Sequence, residues 1–193
     1  MWHARIFTVL TLLRVSSEFQ KCWSKWEKDL THINQIKIPR WNYYSPDVEI
    51  IEIHGFADAS KIAYGALLYI RVVNKDQVCV SFLMAKSKVS PLKQLTIPRL
   101  ELAAAHLLTK LTKHYLKTIS FGVSSIHLWS DSTDFLQWLK GHPSRWRPFV
   151  ANRCSAIHSD APQASWHYVK SRDNPANIVS RGCTASDLQR NQL

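Results

Sequence analysis

VEIIEIHGFADAS, residues 48–60, is an apolar-rich run that ends among small residues on a single acid, Asp58. Such a run reads as a strand with a carboxylate at its end. Two further runs follow directly, IAYGALLYIRVV (62–73) and QVCVSFLMAK (77–86), joined by the turn-like DASK and NKDQ. Connections that short leave no room for a crossover, so the three strands are expected side by side and antiparallel. Next come the basic loop KSKVSPLKQ and a helix from about Thr96 to Lys117, whose first turn tolerates Pro98. SSIHLWSD reads as a fourth strand, STDFLQWLKG and RPFVANRCSAIHSD as helices, ASWHYVK as a fifth strand, and RDNPANIVSRG as a polar turn entering a short helix. A meander followed by helix, strand, helix, helix, strand and helix describes an α/β domain with a mixed sheet.

At 193 residues and 46% hydrophobic, the chain suffices for one full core with a small appendage. Phe19, Trp23, Trp26, Leu30 and Ile33 recur at helical spacing, which predicts an amphipathic packing helix over residues 17–33 before Pro39 and WNYYSPD break the chain. The domain proper is therefore expected at 47–183, preceded by a helical segment at 1–46 and followed by a tail at 184–193. A formal charge of +11 favours a polyanionic partner, nucleic acid or a membrane surface. The opening MWHARIFTVLTLLRVSS holds too short an apolar run to cross a bilayer, and it lacks the longer apolar region and small-residue cleavage site of a secretory signal. Cys22, Cys79, Cys154 and Cys183 are scattered without zinc-site spacing and read as reduced thiols of a cytoplasmic protein.

Asp131 closes the fourth strand as Asp58 closes the first. Aspartate is common where strands turn, but two such endings in one domain invite a joint role. Glu101 lies about 180° around its helix from Lys110 and away from His106, Lys113 and Lys117, which mark the wet face. A first-turn glutamate could serve the helix dipole alone, yet that role would not need the sheet-facing side. A carboxylate turned toward the sheet needs a partner, and no basic residue on that face supplies one. A divalent cation among Asp58, Glu101 and Asp131 would. Mg²⁺ prefers carboxylate oxygens, and two such ions about 4 Å apart can clamp the attacking and leaving oxygens of a phosphodiester; Mn²⁺ could substitute.

GFADAS, TIPRLELAAAHLL and WSDSTDFLQWL resemble the acidic motifs of ribonuclease H in reverse transcriptases. More narrowly, AKSKVSPLKQLTIPRLEL, HPSRWRPFVANR and DNPANIVSRG resemble the ribonuclease H region of BEL/Pao-type LTR retrotransposon polyproteins, over about residues 17–183. The resemblance implies a ribonuclease H-like fold, a five-stranded mixed sheet with three antiparallel strands then two parallel and helices on both faces. It also implies a two-metal nuclease that cuts the RNA strand of an RNA–DNA hybrid, with residues 1–46 a remnant of the segment leading out of the reverse transcriptase, the expected partner domain. In that family the late motif usually reads NPAD, and its aspartate is a fourth acid. Asn177 takes that place here, which implies a catalytic position lacking its charge and leaves open a non-catalytic, hybrid-binding or structural remnant. Asp134 and Asp173 are nearby acids that are not expected to reach. Lys86, Lys88, Lys93, Thr96, Arg99, Arg145 and Arg147 fall where this fold would hold backbone phosphates, with Lys140 and Arg153 beside them; Thr96 to Arg99 would border the minor groove. Trp129, Trp138, Trp146 and Trp166 alternate with apolar residues and are expected mostly in the core.

Overall fold

A computed structural model describes residues 16–39, 45, 48–75 and 77–190. The N-terminal apolar run at residues 1–15, most of WNYYSPD and one residue of the NKDQ turn lie outside these. The chain forms two compact units, one comprising Met1–Lys37 with Cys183–Gln192, the other Ile38–Gly182.

In the larger unit the three expected strands form β1 (Ile50–Ala59), β2 (Ala63–Asn74) and β3 (Gln77–Val89), paired antiparallel. Strand β4 (Ser125–Ser130) joins β1 in parallel and β5 (Ala164–Tyr168) joins β4 in parallel, so the sheet order is β3-β2-β1-β4-β5. Pairing of Ala57 with Ser130 sets the next residues of the two central strands, Asp58 and Asp131, side by side at their C-terminal ends. One expectation needs correction. Lys86, the last residue of the expected third strand, lies in β3 opposite Ala66, but Lys88, expected in the basic loop, also belongs to β3, opposite Tyr64; the first residues of β2 need backbone partners, and β3 runs on to Val89 to supply them.

Helix α2 (Ile97–Thr118) follows, Thr96 being its N-cap residue, and the strands and helices beyond it alternate as expected: α3 (Thr133–Lys140), α4 (Pro148–Asp160) and α5 (Asn177–Arg181), which stops at Gly182 with φ of 77°. Side chains of a strand alternate between faces. On β1, Ile51, Ile53, Gly55 and Ala57 face α2, whose Leu100, Ala104, Leu107, Leu108 and Leu111 share a buried cluster with the sheet. The other side of α2 places Leu102 and Ala105 against Phe135 of α3 and Val150, Cys154 and Ile157 of α4. Gly65 pairs with Asp58, on the face opposite Gly55, and packs under Val179 of α5. Helices therefore cover both faces, with α5 over the strand ends that carry Asp58.

The smaller unit holds α1 (Ser17–Leu30), a 3-10 turn at Thr31–Gln35 and α6 (Ala185–Arg190). Asp29 accepts the Ala185 backbone N–H at 2.5 Å and the Ser186 hydroxyl at 3.0 Å, capping α6. Helix α1 ends three residues earlier than its hydrophobic stripe implies. That stripe is no buried packing face either: no residue of α1 is buried, and Phe19 and Trp26 stay about half exposed, at 49% and 52%.

A β-carbon at Gly55 would lie 2.7–2.9 Å from methyls of Leu108, Leu128 and Leu68, all three fully buried and unable to move aside. Gly55→Ala should therefore destabilise the domain by about 1–3 kcal/mol, read as a lower urea midpoint at unchanged m-value.

Candidate metal and nucleic-acid site

Three elements deliver the three acids. Asp58 is the penultimate residue of β1, Asp131 follows β4, and Glu101 sits in the first turns of α2, between the residues that pack on the sheet and those that pack on α3 and α4. One carboxylate oxygen from each lies within 4.8 Å of the others. Asp58 and Glu101 are buried, at 1% and 7% exposure. Burial, with the Asp131 and Asp58 carboxylates beside it, pushes the Glu101 carboxyl up to about 9. Burial also raises Asp58, against a hydrogen bond from Ser180 and the nearby positive charge of Arg181. A cluster held at this separation cannot carry three charges without a countercharge.

The donor set suits a hard cation. Glu101 Oε2 and Asn177 Oδ1 are buried acceptors with no hydrogen-bond donor among the described residues. Glu101 Oε2, left bare beside the Asp58 and Asp131 carboxylates, is the kind of acceptor a divalent ion would satisfy.

Asn177 opens α5. Its Nδ2 donates to the Ser171 carbonyl at 2.5 Å, while its own backbone carbonyl lies 3.2 Å from Ser180 Oγ, the hydroxyl that donates to Asp58 Oδ2. The late motif thus meets the acids through Ser180. It also meets them through Asn174, whose Nδ2 donates to the Ala57 carbonyl at 3.0 Å and to Asp131 Oδ1 at 3.5 Å. The sequence pattern does not single out Asn174, Ser180 or Arg181. The helical period could have found two of them, because residues three and four positions after Asn177 share its face. Asp134 and Asp173 are exposed.

The basic residues divide. Lys86, Lys88, Lys93, Arg145 and Arg147 are exposed, and Thr96 caps α2 without a side-chain capping bond. Arg99 is half-buried, its guanidinium 5.3 Å from the centroid of the Phe149 ring, and Arg153 stacks on the same ring at 3.6 Å. His106 is held below the usual histidine range by burial and then by the charges of Lys110, Arg153 and Lys88, against that of Asp160. The tryptophans serve packing: Trp166 meets Phe135 edge-on, Trp146 donates to the Trp138 carbonyl at 3.1 Å, and Trp129 stacks on Phe56. All four described cysteines are free, and no helix among the described residues is long and apolar enough to cross a membrane.

Residues 13–132 match the family model described as "Pao retrotransposon-like RNaseH-like domain", a span that includes all three acids and stops short of Asn177. No curated protein sequence matches the chain. Among solved structures, the chain is similar to RNase H1 from the halophilic archaeon Halobacterium salinarum NRC-1, at 15% identity and a TM-score of 0.46, covering 70% of this chain and 98% of that one. It is similar to the N-terminal RNase H domain of a Mycobacterium tuberculosis protein at 12% identity and 0.47, covering 72% and 95%. LC11-RNase H1, solved in complex with an RNA/DNA hybrid, is similar at 12% identity and 0.47, covering 72% and 99%.

Proposed function

The chain belongs to the family of Pao retrotransposon-like RNaseH-like domains, and from that premise we propose that it is a metal-dependent nuclease domain acting on the RNA strand of RNA–DNA hybrids. The observation that carries this reading is the cluster of Asp58, Glu101 and Asp131, two of them buried, with no cationic side chain among the described residues bonded to any of the three. Asp58, Glu101 and Asp131 would hold two Mg²⁺ ions, or Mn²⁺, with the Asn177 amide oxygen as a neutral fourth donor. When bound, such ions activate a water for in-line attack and stabilise the departing 3′ oxygen. The protein's own part is positional. Asp58 and Asp131 are presented by paired strand ends, and Glu101 approaches from a helix packed on both sides, so the three oxygens meet without loop motion. Arg181, exposed on α5 and close enough for its charge to act on both Asp58 and Glu101, stands where a phosphate of the substrate would approach.

The hybrid would lie along Lys86, Lys88, Lys93, Thr96, Arg99, Arg145 and Arg147, which would contact its backbone. A reverse transcriptase domain of the same polyprotein is the expected neighbour in the parent element. Neutralising phosphates releases counterions, so affinity for hybrid should fall steeply with salt. Replacing Lys86, Lys88 and Lys93 together by Ala should flatten the log–log salt plot by about one unit for each phosphate no longer neutralised. An unchanged slope removes those lysines from the footprint.

The deciding assay is Mg²⁺-dependent cleavage of an end-labelled hybrid, with duplex DNA as control. Cleavage confined to the RNA strand is the expected result. One observation favours a second reading, a hybrid-binding remnant without activity: Asn177 is neutral where the resembling family carries an acid. Binding of hybrid without cleavage at any Mg²⁺ or Mn²⁺ concentration would establish it.

A further inference from the structure

Two buried neutral side chains hold the acids. Asn174, 3% exposed, uses its whole amide: Nδ2 reaches the Ala57 carbonyl at 3.0 Å and Asp131 Oδ1 at 3.5 Å, and Oδ1 accepts the Ala176 backbone N–H at 3.1 Å. One planar group therefore ties the backbone just before Asp58 to the carboxylate of Asp131, across the two central strands. Ser180, fully buried, donates its one hydroxyl proton to Asp58 Oδ2. Both side chains come from the late turn and α5, far in sequence from the acids they touch.

The chemical type of these partners is informative. A lysine or arginine in either place would hold the carboxylate and cancel its charge. An amide or a hydroxyl holds it and leaves the full charge for a cation. A carboxylate fixed at one oxygen also loses rotation about χ2, so its ordering cost is met before any ion arrives. If these residues served only to satisfy a buried turn, Asn174 would need no contact with Asp131, since the Ala57 carbonyl and the Ala176 N–H already accommodate its amide.

We propose that Asn174 and Ser180 are positioning residues that preset the carboxylate cluster for a divalent cation. This rests on the metal-site reading above. The test is Mn²⁺ titration of the metal-free protein, read by electron paramagnetic resonance of the free ion, for the parent, Asn174→Ala and Ser180→Ala, each at a temperature where circular dichroism shows it folded. Each variant should bind Mn²⁺ about 10–100-fold more weakly, the usual cost of removing an outer-shell partner of a metal ligand. Asp134→Asn, which removes an exposed acid near Asp131, should bind like the parent. Ser180→Ala deletes a single hydroxyl and carries the test alone should Asn174→Ala fail to fold. Parent-like affinity in the folded variants overturns the inference while leaving the metal site intact. Equal weakening in Asp134→Asn overturns it too, because long-range charge would then be the cause. Absence of Mn²⁺ binding by the parent removes the metal reading and this inference with it.

Discussion

Asp58→Asn, Glu101→Gln and Asp131→Asn should each lower Mg²⁺-dependent hybrid cleavage by at least about a hundredfold, the lower end of what one preorganised transition-state interaction is worth. The three oxygens lie within 4.8 Å of one another, so each substitution removes charge from one shared site and the effects should not multiply in double variants. Stability should move the other way. Without an ion the close carboxylates oppose one another's ionisation, so neutralising any one should leave the melting temperature unchanged or raise it. Glu101 gives this a pH signature. Its carboxyl holds a proton up to about 9 in the folded, metal-free protein, against 4.5 for the unfolded chain. Between those values the native state binds more protons than the unfolded state, so this contribution to stability is complete below the lower value and is lost as pH rises toward the upper one. The metal-free parent should therefore melt at progressively lower temperature from mildly acidic to alkaline pH, and Glu101→Gln should flatten that decline. Variants that cut at the parent rate would place the active site elsewhere. Variants that lose activity together with fold would make the acids structural.

Much of this architecture is legible in the sequence because its signals are local. The strands between Val48 and Lys86 announce themselves by apolar runs and short turns, and the face of α2 bearing Glu101 follows from the helical period alone. The limits are equally physical. Nothing in KSKVSPLKQ says that its first residues pair with the start of β2, because strand length is set by the partner's need for hydrogen bonds. The stripe on α1 has the spacing of a packing face yet stays largely exposed, since period describes which residues share a side and not what covers them. Asn174 and Ser180 are hidden for a third reason. Their partners lie more than forty residues away, and a buried amide or hydroxyl looks in sequence like any turn residue. Asn177 stands out because the family motif carries an acid there, whereas the side chains that touch the acids are its neighbours.

Asn177→Asp should lower the Mg²⁺ concentration needed for half-maximal cleavage by about tenfold or more, or create activity where the parent has none. The amide's Oδ1 is buried and lacks a donor among the described residues, so the position already offers an oxygen without a competing hydrogen bond. What it lacks is charge, and carboxylates hold hard cations largely by charge. The substitution has a cost that makes the test sharper. Nδ2 donates to the Ser171 carbonyl at 2.5 Å, and an aspartate would lose that bond and set two acceptors against each other. Without metal, then, Asn177→Asp should melt below the parent, by an amount matching roughly 0.5–1.5 kcal/mol for one lost hydrogen bond. With Mg²⁺ the order should reverse, because an ion that binds only the folded state stabilises more as its affinity rises. A crossing of the two melting temperatures between metal-free and saturating Mg²⁺ conditions is the expected result, alongside the shifted cleavage titration. Should Asn177→Asp melt lower under both conditions and cut no better, this side chain does not face the ion, and the site works or fails on Asp58, Glu101 and Asp131 alone.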